Sequence, residues 1–160
     1  LNPSNELKLF TYYSYDDATI GTLTSNNYQN MGGSLVWNHL IREKHTLALS
    51  LSSGQYNFLD KNMEVDLYAY KQTYQLNHTE LKADLTLRPF KNHTVLVGLN
   101  SVLYQSESGD FLPLNEGSSL EPMSFEPEQG LESGFYISDQ WLITPDLEIN
   151  AGLRYNFYSY

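Results

Sequence analysis

The chain has 160 residues and a formal net charge of −10, from 19 acidic against 9 basic side chains. That length fits one domain, and that charge argues against a nucleic-acid partner, because gripping a phosphate backbone takes clustered Lys and Arg. There is no cysteine, which excludes disulfides and Cys-based zinc sites, and no apolar run approaches the roughly 18 residues of a spanning helix, which excludes an α-helical membrane protein.

The opening Leu1-Asn2-Pro3-Ser4 has neither a basic leader nor an apolar stretch, so the start is expected to be internal to a longer precursor. Alternation between turn-type clusters predicts seven strands, over about 5–15, 31–41, 45–57, 76–88, 93–105, 131–143 and 147–159. The second is mixed, with His39 beside Trp37 on its apolar face. In the third, Leu47, Leu49 and Leu51 oppose Thr46, Ala48 and Ser50. In the fourth, Leu81, Ala83, Leu85 and Leu87 oppose Lys82, Asp84, Thr86 and Arg88. The fifth sets Val95, Val97 and Leu99 against Thr94, Leu96, Gly98 and Asn100. The sixth is mixed again, Asp139 sharing a face with Trp141. The seventh is clearest: Leu147, Ile149, Ala151, Leu153, Tyr155 and Phe157 line one face, and Glu148, Asn150, Gly152, Arg154, Asn156 and Tyr158 the other.

A face carrying both charge signs and amides would be rejected by a sealed core unless every group were paired. The pattern instead suits a transmembrane β-barrel, whose strands of about 10 residues are apolar only at alternate positions, so that mean hydropathy stays polar, here −0.43. Aromatics make up 14%, with 13 Tyr, which suits interfacial girdles and equally suits a binding surface. The connections also sort. Arg42-Glu43-Lys44, Pro89-Phe90-Lys91-Asn92 and Thr144-Pro145-Asp146 are short, and long outer loops are expected near 16–30, 58–75 and 106–130. Barrels of this type have short periplasmic turns and long outer loops. Arg42, Lys44, Arg88 and Lys91 gather at the short turns, and Asp110, Glu116, Glu121, Glu126 and Glu128 in one long loop. Bacterial single-chain barrels have even strand counts, so seven strands point to residues 1–160 being part of a larger barrel. Unpaired edges in lipid would each cost several kcal/mol per backbone group.

Phe135-Tyr136-Ile137-Ser138-Asp139-Gln140-Trp141-Leu142-Ile143-Thr144 followed by Leu147-Glu148-Ile149-Asn150-Ala151-Gly152-Leu153-Arg154-Tyr155 resembles a hairpin of TonB-dependent outer-membrane transporters, with the form YxxDxWxIT…LxLNxGLRY. The chain as a whole is similar to the middle of such a barrel, particularly of the Bacteroidetes type, and Leu35-Val36-Trp37-Asn38-His39 resembles an earlier strand of that group. The resemblance implies a barrel of about 22 strands in the outer membrane of a Gram-negative cell. It also implies an N-terminal plug and an inner-membrane TonB-type motor that drives uptake of a nutrient such as a siderophore, glycan or peptide. Some transporters of the group dock a surface lipoprotein through long loops. The hairpin is structural in the family: Trp141 and Tyr155 carry over as membrane-interface anchors and Arg154 as a polar lumen residue.

On this reading Leu47, Leu49, Leu51, Leu81, Leu85, Leu87, Val95, Val97, Trp141, Leu153, Tyr155 and Phe157 meet lipid or its interface, and Lys82, Asp84, Arg88, Asn100, Arg154 and Asn156 face the lumen and plug. Substrate contacts are expected from outer ends and loops. Over 63–76, Glu64, Asp66, Tyr68, Tyr70, Gln72 and Tyr74 share one face of an extended segment, where rings and carboxylates suit a polar ligand. Tyr68, Tyr70 and Tyr74 are the candidates, against the plainer reading that they pack on neighbouring loops.

Other chemistry is weaker. The acidic loop 107–128 lacks the alternation and Gly of an EF-hand and reads as solvated charge. His39, His45, His78 and His93 supply no third zinc ligand beyond a turn pair, His39 and His45. With no nucleophile elbow, phosphate loop or zinc-protease helix, no catalytic residue, metal or cofactor is expected. Two other architectures fit the pattern: a complete small barrel with a structural or adhesive role, whose first and last strands would pair, and a soluble β-sandwich or lipocalin-like binding module, whose apolar faces would point inward.

Overall fold

A computed structural model describes residues 2–21 and 23–160. Leu1, in the opening tetrapeptide, and Thr22, in the expected 16–30 loop, lie outside the described residues. The strands are β1 (Asn5–Ile20), β2 (Thr24–Ile41), β3 (His45–Asn62), β4 (Tyr70–Leu87), β5 (His93–Glu107), β6 (Asp110–Pro113), β7 (Met123–Ser124), β8 (Glu128–Thr144) and β9 (Leu147–Ser159). They form one antiparallel up-and-down sheet in the order β1-β2-β3-β4-β5-β8-β9, with β6 beside β4 and β7 beside β6. The sheet is not closed: β1 and β9 are its two edges.

The seven long strands fall where alternation places them, but β1, β2, β3 and β4 run five to seven residues beyond the expected limits and β5 and β8 two to three, in each case toward the long connections. The expected loop at 16–30 is corrected: β1 runs to Ile20 and β2 starts at Thr24. The expected loop at 58–75 shrinks to 63–69. These stretches read as loops because they are rich in Asn, Asp, Ser and Thr. Strand continuation past an apolar band needs only a partner for each backbone group, and the Ile20↔Thr24 and Asn62↔Tyr70 pairings supply them. Only the third connection, 108–127, stays long, and β6 and β7 interrupt it. Gly109, at φ 71, turns the chain after β5 so that β6 takes over the edge of β4 at Tyr70–Gln72. A Cβ there would meet the Thr73 carbonyl oxygen at 1.8 Å, so only glycine fits.

At the other end the turns are tight. Arg42 and Glu43 both have positive φ, 49 and 54, the type I′ geometry that matches strand twist. Arg88 donates to the Lys44 carbonyl at 3.0 Å and Lys44 to the Pro89 carbonyl at 3.2 Å, tying adjacent turns together.

There is almost no interior. Among the described residues only Ala69 (1% exposed) and Val102 (8%) are buried apolar side chains. Ala69 is covered where the 108–127 connection docks on the 63–69 loop, with Leu114 N–H on the Ala69 carbonyl at 3.0 Å and Ser119 N–H on the Leu67 carbonyl at 2.8 Å. The remainder is a single layer held by its ladders and cross-strand pairs.

Candidate functional site

The register sorts side chains into two faces. One face carries the continuous rows Leu47, Leu85, Val97, Ile137, Leu153 and Leu7, Trp37, Leu49, Ala83, Leu99, Phe135, Tyr155, because directly paired residues point the same way. The next row holds Leu9, Leu35, Leu51, Leu81 and Phe157, interrupted by Ser101 and Ser133. Leu87 and Val95 pair below. These residues stay open: Leu153 is 79% exposed, Leu9 75% and Tyr155 70%. On β9 the apolar alternation runs from Leu147 to Phe157, about 33 Å along the strand. At a barrel tilt near 40° that projects to roughly 25 Å, the height of an outer-membrane apolar band.

The ionisable residues among these rows pair locally, although Asp139 Oδ1 is buried without a hydrogen-bond partner among the described residues. His93 Nδ1 lies 2.7 Å from Asp139 Oδ2, and its ring stacks on Trp141 at 5.5 Å. Asn5 Oδ1 accepts from the Trp37 indole at 3.0 Å and lies 2.9 Å from His39 Nδ1, with His39 stacked on Trp37 at 5.6 Å. His45 Nδ1 accepts the Arg88 backbone N–H at 3.0 Å, so the turn histidines His39 and His45 serve structural contacts. Among the described residues no group of three His, Asp or Glu converges as metal ligands.

The opposite face is a charged network across four strands. Lys82 Nζ is 3.0 Å from Asp84 Oδ2. Tyr136 donates to Asp84 Oδ1, and the Arg154 guanidinium lies over the Tyr136 ring, 5.1 Å from its centroid. Arg154 also donates to Asn100 Oδ1 and Asn156 Oδ1, each at 2.7 Å. Asn100 donates to Glu80 at 3.5 Å. Five of the six residues assigned to the polar face therefore sit together. Arg88 does not: it lies past the end of β4, and its guanidinium is spent on the Lys44 carbonyl. The network works because Gly98 separates Asp84 from Tyr136 in their shared row. A Cβ at Gly98 would come within 2.3 Å of the Tyr136 ring and 2.5 Å of Asp84.

Toward the long-connection end this same face becomes aromatic. Tyr28 stacks on Phe58 (4.9 Å), Tyr56 meets Tyr74 edge-on (6.4 Å), and Tyr70 packs on Phe111 (4.7 Å). Tyr70 donates to Asp60 Oδ2 at 2.9 Å. Its phenol is held above the ordinary value, first by burial and then by that bond and the charge of Asp60. Tyr70, Gln72 and Tyr74 share the face as expected, but Tyr68 does not. Asp66–Tyr68 is a 3₁₀ turn, and Tyr68 stands 57% exposed on the loop. Alternation was read through 63–69 although Val65-Asp66-Leu67 has no strand partner. Tyr28, Phe58 and Phe111 were not singled out from sequence, because their convergence depends on register. A glycine inside a strand pattern, such as Gly98, was the one available signal of close approach.

The arrangement defines an open antiparallel sheet with one apolar face and one ionic face that turns aromatic at its far end. No protein-family model matches the chain, and no curated protein matches it.

Proposed function

We propose that this chain is part of the barrel wall of a TonB-dependent outer-membrane transporter that takes up a nutrient. The observation that carries the reading is the division of one single-layer sheet into a largely apolar band, whose few polar residues pair with one another, and a hydrogen-bonded ionic face. Lipid accepts the first at little cost, and a water-filled or plugged lumen accepts the second. A soluble sandwich would cover the apolar rows with a second layer, and a complete small barrel would pair β1 with β9; the open rows and free edges favour a segment of a larger wall. The resemblance of the β8–β9 hairpin to that family supports the transporter class.

In this setting the short turns face the periplasm and the 63–69 and 108–127 connections face outward. Lys82, Asp84, Asn100, Arg154 and Asn156 line the lumen or contact the plug, and the inner-membrane motor acts through parts of the protein outside this sheet. Tyr70 and Tyr74, with Tyr28, Phe58 and Phe111, form the surface an incoming polar nutrient meets first. A surface lipoprotein has its docking place on the paired outer connections.

The test is growth on a panel of siderophores, glycans and peptides, each as limiting nutrient. Loss of the gene and loss of the inner-membrane motor should abolish growth on the same nutrient. Unimpaired growth of the gene deletion on a nutrient set that does require the motor contradicts the proposal.

A further inference from the structure

Of the nine basic residues, four stand at or beside the short turns (Arg42, Lys44, Arg88, Lys91) and three on the ionic face of the band (Lys8, Lys82, Arg154). The remaining two, Lys61 and Lys71, are directly opposite each other on β3 and β4 at the long-connection end. Counting along β3 in steps of two from Leu47, Lys61 falls on the apolar side of the sheet, and Lys71 with it. Like charges directly opposite in a sheet repel, and among the described residues neither lysine has a carboxylate within ion-pair distance. An anion between the two ammonium groups would relieve that repulsion.

Below the lysines, between them and the apolar band, the same face holds a concavity. Its volume is about 360 Å³, and Asn27, Gln29, Asn57, Thr73 and Gln75 line it around Leu59, with Lys71 at its upper edge. Asn57 donates weakly to Gln29 at 3.5 Å and Asn27 donates to the Tyr15 hydroxyl, and the Gln75 amide makes no side-chain bond among the described residues. Glu107 also lines the cavity, but opposite Gln75, four residues down β4 from Lys71. Asp17 faces the same side at the β1 edge, paired with Asn27. The carboxylates are thus at the floor and rim, and the paired cations at the top.

We infer that this surface binds the phosphorylated saccharide headgroup of an outer-leaflet glycolipid, with hydroxyls in the amide-lined cavity and a phosphate between Lys61 and Lys71. The chemistry follows from the parts: amides and a hydroxyl complement sugar hydroxyls, and two adjacent ammonium groups complement a phosphate. The location follows from the face, since the amides continue the apolar rows by six to eight residues along the strands and the two lysines by ten, past the edge of the hydrocarbon and into the saccharide headgroup layer. The inference rests on the membrane orientation proposed above.

The experiment uses the full-length protein in phosphatidylcholine nanodiscs, with an environment-sensitive fluorophore at Thr73→Cys and, in a parallel sample, a spin label at Leu85→Cys. The added probes are phosphorylated rough lipopolysaccharide, the same lipopolysaccharide dephosphorylated, its lipid-free core oligosaccharide, and inorganic phosphate. Saturable binding of the phosphorylated lipopolysaccharide is expected, at least about tenfold tighter than each other probe, and about tenfold or more weaker in Lys61→Gln/Lys71→Gln. Equal binding by that double variant, or by the dephosphorylated lipid, overturns the site. Core oligosaccharide or phosphate binding as tightly as the intact lipid overturns the membrane source. A Leu85 label shielded from lipid means that the orientation itself is wrong; a lipid-exposed Leu85 with unselective binding means that only the headgroup site fails.

Discussion

Tyr136 on β8 gives its phenolic hydrogen to Asp84 on β4, reaching across the bare backbone of Gly98 on the strand between them. This single relationship joins three strands on the ionic face and sets the ring on which Arg154 rests. A side chain at Gly98 therefore has to displace the ring. Gly98→Val should destabilise the protein by about 1–3 kcal/mol, the cost of leaving a polar partner unmet. Tyr136→Phe should cost about 1 kcal/mol in the parent and almost nothing on the Gly98→Val background, read by denaturant unfolding in detergent micelles. Additive losses would separate Gly98 from the network.

Leu85 and Thr86 are neighbours in sequence and point to opposite faces. Leu85→Arg should cost roughly 2–4 kcal/mol at the bilayer midplane, and Thr86→Arg much less. Unfolding in lipid vesicles compares the two, and equal losses would sink the assignment of faces.

Arg42 and Glu43 hold left-handed backbone conformations that favour Asn and Gly. Arg42→Asn with Glu43→Gly should stabilise the β2–β3 hairpin by about 1 kcal/mol, the relief of strain being partly offset by the chain entropy of glycine. An unchanged or lower unfolding midpoint would contradict the type I′ account.

Tyr70 keeps its proton above the ordinary phenol value because it is partly buried and bonded to Asp60. The folded value is raised, so this contribution to stability is complete below about pH 10, where unfolded phenols ionise. It is lost as pH rises through the folded value, since the unfolded chain then binds fewer protons. Ultraviolet titration should show a late-ionising component that loses one phenol in Tyr70→Phe and in which that phenol moves earlier in Asp60→Asn. No change in the titration on Tyr70→Phe would contradict it.

Much of this was legible from alternation alone, and the misses have physical causes. The apolar residues of β3, β4, β5 and β9 were assigned to one face, and pairing does place them on one face, because period two is set by the pleat and not by tertiary context. The polar ends of β1, β2, β3 and β4 were read as loops, since composition reports solvent contact and cannot distinguish a solvated strand from a turn. Arg88 was carried one step too far along its strand, and Tyr68 across a 3₁₀ turn. The Tyr136–Asp84 bond and the Lys61–Lys71 pair needed register, which joins residues 52 and 10 positions apart and is written in no local pattern.

The central claim is that the apolar rows meet lipid, and depth-resolved spin-label accessibility from Leu81 to Arg88 tests it most directly, in the full-length protein reconstituted in bilayers. The account predicts period-two contact with a lipid-soluble quencher at Leu81, Ala83, Leu85 and Leu87, with Lys82, Asp84 and Thr86 answering to a water-soluble one. Loss of that period, with the apolar positions shielded from both quenchers, would mean that these rows face an enclosed core and that the sheet is not a barrel wall.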